Sequence, residues 1–157
     1  MYNYLYMQSS AAYACTARAY KRRGLECVCG DVRMAARAVT RVYDRFFEPC
    51  GVGANQVSLL WAVMALEPAT VNTIAQAVAA DATTLTRNLK VLERDGYVEA
   101  AATRDRRERR YRLTRAGQGL MVKAVPLWER AQAHVAAHAG KEFPKILKHL
   151  LRLAAVT

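Results

Sequence analysis

The chain has 157 residues, 53% of them hydrophobic, which suits one compact domain or a small domain plus a dimerisation element. Lys and Arg number 24 against 13 acidic residues, a formal charge of +11 that favours a polyanionic partner, either nucleic acid or an anionic membrane surface. The longest apolar run, Val57–Leu66, is half of the roughly 20 residues a spanning helix needs, and the N-terminus lacks the order of charge, apolar core and cleavage site of a signal peptide. A membrane partner and export are therefore excluded as expectations; the expected location is the cytoplasm, where cysteines stay reduced.

Residues 1–24 are rich in Ala and Tyr (Tyr2, Tyr4, Tyr6, Tyr13, Tyr20), with no amphipathic period and no acid. They read as an arm, mobile or ordered only in a dimer. From Leu25 a helical period sets in. Val28, Val32, Ala35, Ala36, Val39, Val42, Tyr43, Phe46 and Phe47 recur at helical spacing until Pro49 and Gly51 end the run. Asn55 caps a predicted second helix through Leu66, with Val57, Leu60, Trp61 and Met64 as its stripe, and Pro68 stops it. Val71–Ala80 is a third, short helix with Ile74 and Val78 inward. Asp81 reads as the N-cap of a fourth, Thr83–Asp95, whose buried row is Leu85, Leu89 and Leu92. Gly96 stands where a helix end takes a left-handed residue.

A hairpin follows. Tyr97, Val98 and Ala100 form one strand, Tyr111 and Leu113 alternate with Arg110 and Arg112 in the other, and Thr103–Arg109 is a charged tip. Thr114 caps a long helix to about Ala139 that contains Pro126. Gly140 separates it from an amphipathic helix, Glu142–Leu153, carrying Phe143, Ile146, Leu147, Leu150 and Leu151. The predicted fold is mainly α with a small β-hairpin wing. Two short helices joined by a tight turn and followed by a basic hairpin make a winged helix-turn-helix at about 55–115. Helices at about 25–48 and 117–155 flank it within a single domain, 25–157. They carry more apolar surface than so small a core covers, which predicts a symmetric homodimer with two reading heads.

The charge is clustered. Between Ala82 and Ala116 ten Lys or Arg residues stand against five acids, the distribution a phosphate-binding face needs. On the fourth helix the leucine row turns Thr83, Thr84, Thr86, Arg87, Lys90 and Arg94 outward. Small hydroxyls near a helix N-terminus let the backbone approach a major groove, Arg87 suits a bidentate contact to guanine, and Lys90 and Arg94 suit phosphates. In the tip, Arg104, Asp105, Arg106, Arg107 and Arg109 form the second candidate surface, where an Asp at a turn holds a neighbouring Arg in one rotamer for a narrow minor groove.

The segment DATTLTRNLKVLERDGYV from Asp81 to Val98, then DRR from Asp105, LTRAG from Leu113 and RAVTRVY from Arg37 resemble the multiple antibiotic resistance regulator (MarR) family, over roughly Leu25 to the C-terminus. The resemblance implies a triangular homodimer with interlocked terminal helices, bound to palindromic double-stranded operators as a transcription regulator, by default a repressor. By position it assigns Thr83, Thr84, Thr86, Arg87 and Lys90 to the recognition helix, and Asp105 and Arg107 to a wing whose Arg enters the minor groove. It also implies a small-molecule inducer between dimerisation helices and winged domain, for which Arg37, Tyr43 and Trp61 are the candidate pocket.

The cysteines offer a second route to a signal. Cys29 lies eight residues before Arg37, the position at which the organic-hydroperoxide-sensing branch of the family carries its reactive Cys. That chemistry needs a thiolate, which helix N-termini favour. The branch surrounds its Cys with three tyrosines; only Tyr43 is in register here, the other positions holding Arg33 and Ala54. Cys27 and Cys29 are two apart and cannot face each other within a helix, so they act together only if the helix begins near Cys29. With Cys15 from the arm they are candidate sensor thiols, or ligands of a soft metal or metalloid such as copper(I) or arsenite. The residues call for no other cofactor. His134 and His138, at i and i+4 with Glu129 one turn earlier, are a weaker candidate metal pair. No nucleotide-binding glycine loop, HExxH or GxSxG occurs, so an enzyme is not expected. The rival reading is a nucleic-acid-binding or architectural protein without sequence preference.

Overall fold

The computed structural model describes residues 27–102 and 109–153. The chain divides into two compact units, Met1–Val39 and Thr40–Thr157. The described part of the first unit is the beginning of helix α1 (Val28–Phe47), whose residues from Thr40 onward belong to the second. The Asp31 amide donates to the Cys27 carbonyl at 2.9 Å and closes the first turn. Along this stretch Val28 and Val32 of the expected apolar stripe are exposed, as is Met34 beside it.

In the second unit α1 ends in a 3₁₀ turn (Glu48–Cys50), and α2 (Ala54–Leu66), β1 (Ala69–Thr70), α3 (Val71–Ala77) and α4 (Ala82–Arg94) follow. Then come β2 (Val98–Ala101), β3 (Arg110–Leu113), α5 (Arg115–Ala139) and α6 (Phe143–Leu153). Mainly helical, with a small sheet at the wing, this is the expected winged helix-turn-helix architecture. The sheet has three antiparallel strands in the order β1-β3-β2, one more than the hairpin expected from the sequence. Ala69 pairs with Tyr111 and Thr70 with Arg110, so the two residues after Pro68 extend the wing's base.

The core lies where the helical and strand periods converge. Leu85, Leu89 and Leu92 from α4 join Leu60 and Val63 from α2, Ile74 from α3, Val98 and Tyr111 from the sheet, and Leu120 and Ala124 from α5. None of these is more than 7% exposed, and each large apolar side chain so buried contributes roughly 1.5–3 kcal/mol.

Two helix ends differ from expectation. The N-cap of α2 is Gly53 rather than Asn55: the Gly53 amide donates to Gln56 Oε1 at 3.0 Å, and the Ala54 amide to Asp44 Oδ1 at 2.8 Å. These two acceptors satisfy the first orphan amides before Asn55 is reached. Helix α3 stops at Ala77, short of Ala80, because Ala79 adopts a left-handed conformation at φ 49° and the Ala80 amide returns to the Ala75 carbonyl. Helix α5 runs through Pro126 to Ala139, as expected, with the proline exposed. The end of α4 is as expected: Gly96 has φ 79°, its amide donates to Glu93, and the Tyr97 amide donates to Leu92, a Schellman closure.

The junction after this closure is tight. Thr114 donates its amide to the Tyr97 carbonyl at 3.1 Å and its hydroxyl to the Gly96 carbonyl at 2.6 Å, while accepting the Gly117 amide as the N-cap of α5. A Cβ on Gly117 would stand 2.1 Å from the Tyr97 carbonyl oxygen. No comparable crowding surrounds Gly119, whose added Cβ meets nothing within 4 Å. Gly117→Ala is therefore expected to lower unfolding stability by about 1–3 kcal/mol or more through overpacking. Gly119→Ala should raise it by about 0.5–1 kcal/mol through helix propensity. Urea denaturation of both variants checks the contrast.

Candidate nucleic-acid interface

The leucine row fixes the opposite face of α4. Its N-terminus is held by Asp81, whose Oδ1 accepts the Thr83 amide at 2.9 Å and the Thr84 amide at 3.0 Å. These hydrogen bonds, the one from Thr84 foremost, keep the Asp81 carboxyl below the usual aspartate range. Thr83, Thr84, Arg87 and Lys90 are exposed, as expected. Thr86 is half-buried and its hydroxyl donates to the Ala82 carbonyl at 2.7 Å, so it presents mainly its methyl.

Ion pairing sorts the cations of this surface into two groups. Arg94 binds the neighbouring Asp95, with Nη2 to Oδ1 at 2.9 Å. Arg112 of β3 binds its cross-strand partner Glu99 at 2.8 Å. Arg109 binds Glu93 of α4 and lies over the ring of Tyr111. Arg87 and Lys90 have no ion-pair partner among the described residues, and so keep their full charge for a ligand. Glu93, Asp95 and Glu99 escape a reading of the sequence as sites, since acids inside a basic run look like dilution rather than partners. Arg104, Asp105, Arg106 and Arg107, the tip of the wing, lie outside the described residues.

The candidate sensing residues fall in both units. Cys15 lies outside the described residues. Cys27 and Cys29 are both exposed free thiols at the start of α1, Cys27 one residue before the helix and Cys29 within its first turn. The Cys27 carbonyl accepts the Asp31 amide, so both cysteines belong to the closed first turn. Arg37 belongs to the first unit, whereas Tyr43 and Trp61 belong to the second. The Tyr43 hydroxyl donates to Gln132 Oε1, and burial pushes its phenol up. Trp61 packs edge-on against Trp128 with ring centroids 5.2 Å apart. Tyr43 and Trp61 thus both have intramolecular partners. The His134 and His138 rings lie 4.4 Å apart, and His138 Nδ1 is 2.7 Å from the His134 carbonyl. Among the described residues no three metal-ligating side chains converge, and no single helix is long and apolar enough to cross a membrane.

The cap on α4 has a measurable signature. A carboxyl held below its ordinary pKa stabilises the folded state fully above the ordinary range, and that contribution is lost as pH falls through the lower folded value. The Thr83 and Thr84 amide resonances should titrate together, with a midpoint below that of an unperturbed aspartate. Asp81→Asn should abolish the transition while keeping an acceptor at the cap; NMR titration of both proteins checks it.

The profile of the MarR family matches residues 51–108. The transcriptional regulator MosR of M. tuberculosis, solved in complex with DNA, is 36% identical to this chain with a TM-score of 0.74, the match covering 83% of this chain and 95% of that one. An uncharacterized HTH-type transcriptional regulator of Bacillus subtilis (strain 168), YwoH, is 25% identical over 123 residues, 78% of this chain and 90% of its own length. MepR of S. aureus, solved as a DNA complex, shares the fold at 19% identity, with a TM-score of 0.70 over 83% of this chain and 98% of that one. The geometry of α2 to β3 and an extended match above 30% identity lead to one conclusion: the chain is a transcriptional regulator of the MarR family.

Proposed function

We propose that the protein binds palindromic operator DNA as a homodimer and represses transcription until its N-terminal thiols are oxidised. The observation that carries the DNA-binding part is the outer face of α4. Thr83 and Thr84 flank a capped helix N-terminus there, and Arg87 and Lys90 stand exposed without ion-pair partners among the described residues. Arg87 reads a base edge in the major groove, Lys90 meets a phosphate, and Arg107 at the wing tip enters the minor groove. The comparison with a 36% identical regulator in complex with DNA supports this reading.

Dimerisation is supported by apolar side chains left exposed in the single chain: Val122 and Val125 on α5, and Ile146, Leu147 and Leu151 on α6. Among the described residues, no side chain of α6 is buried. A second copy removes this surface from water and sets two α4 helices for half-sites about one DNA turn, 34 Å, apart.

For the signal, exposed Cys27 and Cys29 are favoured over a pocket at Arg37, Tyr43 and Trp61, because the Tyr43 hydroxyl and the Trp61 ring already have partners. An organic hydroperoxide oxidises one thiolate to a sulfenic acid and leaves as the alcohol; the second thiolate displaces water from that sulfur and forms the disulfide. Side chains two apart in a helix diverge, so the disulfide requires the turn closed by the Asp31–Cys27 hydrogen bond to open.

Competition binding against random duplex should show a preference of about a thousandfold or more for a duplex that the protein itself selects from a random pool. Equal affinities would overturn the regulator reading in favour of an architectural one. Arg87→Ala should weaken binding and relax sequence preference, whereas Arg107→Ala should weaken it more uniformly. Cumene hydroperoxide should release the selected duplex from the wild type. Release that persists unchanged in the Cys27→Ser/Cys29→Ser protein would sink the thiol mechanism and leave DNA binding intact.

A further inference from the structure

Arg109 belongs by sequence to the cationic wing, yet its charge is directed inward. Nη2 donates to both carboxylate oxygens of Glu93, at 2.6 and 2.8 Å. The guanidinium carbon lies 5.4 Å from the centre of the Tyr111 ring, within cation–π range. Tyr111 is itself a core residue, 2% exposed. Glu93 sits in the last turn of α4, and Arg109 is the residue at which the chain returns from the wing tip.

The β2–β3 ladder ends at the Ala101–Arg110 pair. Arg109 therefore adjoins the last main-chain pair of the hairpin among the described residues. The bond to Glu93 fixes the hairpin to α4 at that point, and the Tyr111 ring fixes the guanidinium to the core. An arginine engaged in this way has surrendered its charge to a carboxylate and adds little to phosphate attraction. What it supplies is orientation: a helix in one groove and a wing in the next must hold a set angle to bind together, and a wing free to swing loses entropy on binding.

We infer that Glu93 and Arg109 form a positioning strut that sets the wing against the recognition helix, and that Arg109 is not a phosphate contact. The inference rests on the DNA-binding reading above. The test uses the full-length protein and a duplex that the wild type selects from a random pool. Glu93→Gln and Arg109→Ala should each weaken binding by about fivefold to tenfold, the double variant should be no weaker than either single one, and thermal unfolding should show all three folded. The slope of log affinity against log salt should stay at the wild-type value, whereas a lost phosphate contact lowers its magnitude by about 0.9.

A Glu93→Gln protein that binds as well as or better than wild type overturns the strut, since removing a competing acid would then have freed Arg109 for DNA. A slope reduced by one ion in Arg109→Ala overturns it equally. A measurement without DNA separates the two readings: backbone relaxation of the Arg109 and Arg110 amides should report greater mobility in Glu93→Gln. Unchanged mobility counts against the strut whatever the DNA result, while failure of the wild type to retain any duplex strikes the operator reading alone.

Discussion

The carbonyl of Tyr97 lies so close to the backbone of α5 that only a residue without a side chain passes it, and the winged half of the molecule is organised around that approach. Gly117 would carry a Cβ 2.1 Å from the carbonyl oxygen. Thr114 uses its amide, its hydroxyl oxygen and its hydroxyl proton within the same few ångströms, tying the end of α4 to the start of α5. On the other side of the sheet, Glu67 at the end of α2 accepts the Leu113 amide at 2.8 Å. Helix α4, the wing strands and the long helix therefore leave one small junction in fixed directions. A change of angle at α5 has few ways to be absorbed before it reaches α4.

The basic surface gains meaning from its acids. Spread along the sequence, ten cations and five acids between Ala82 and Ala116 describe only a positive region. In three dimensions Glu93, Asp95 and Glu99 each take one arginine. Exposed pairs of this kind contribute little to stability, typically under about 1 kcal/mol. Their effect is selective: they hold chosen arginines in one rotamer, while Arg87 and Lys90 have no such acid among the described residues.

What the sequence makes legible is whatever depends on neighbours. The leucine row at 85, 89 and 92, the Asp81 cap and the Gly96 closure follow from spacings of a few residues. The alternation of Tyr111 and Leu113 with Arg110 and Arg112 is equally local. Strand β1 is not legible, because two residues after a proline carry no period, and their partners stand at Arg110 and Tyr111. The end of α3 is hidden for a related reason: its left-handed residue is Ala79, where no glycine marks the turn. The cap of α2 depends on Asp44, ten residues upstream. Pairing between Glu93 and Arg109 spans sixteen residues and a hairpin, beyond the reach of any motif. For the candidate site, the face of α4 is readable and the division of its cations is not.

The protein has two tryptophans, and both belong to the edge-on pair of Trp61 and Trp128. One stands on the first helix of the DNA-binding half, the other midway along the helix that leads away from it. Every photon of indole emission therefore comes from the seam between α2 and α5, with no background from elsewhere in the chain. Edge-on indoles at this separation also couple their excited states, so circular dichroism in the indole bands follows the angle between the rings as well as their distance. The molecule carries its own optical gauge of the joint between α2 and α5.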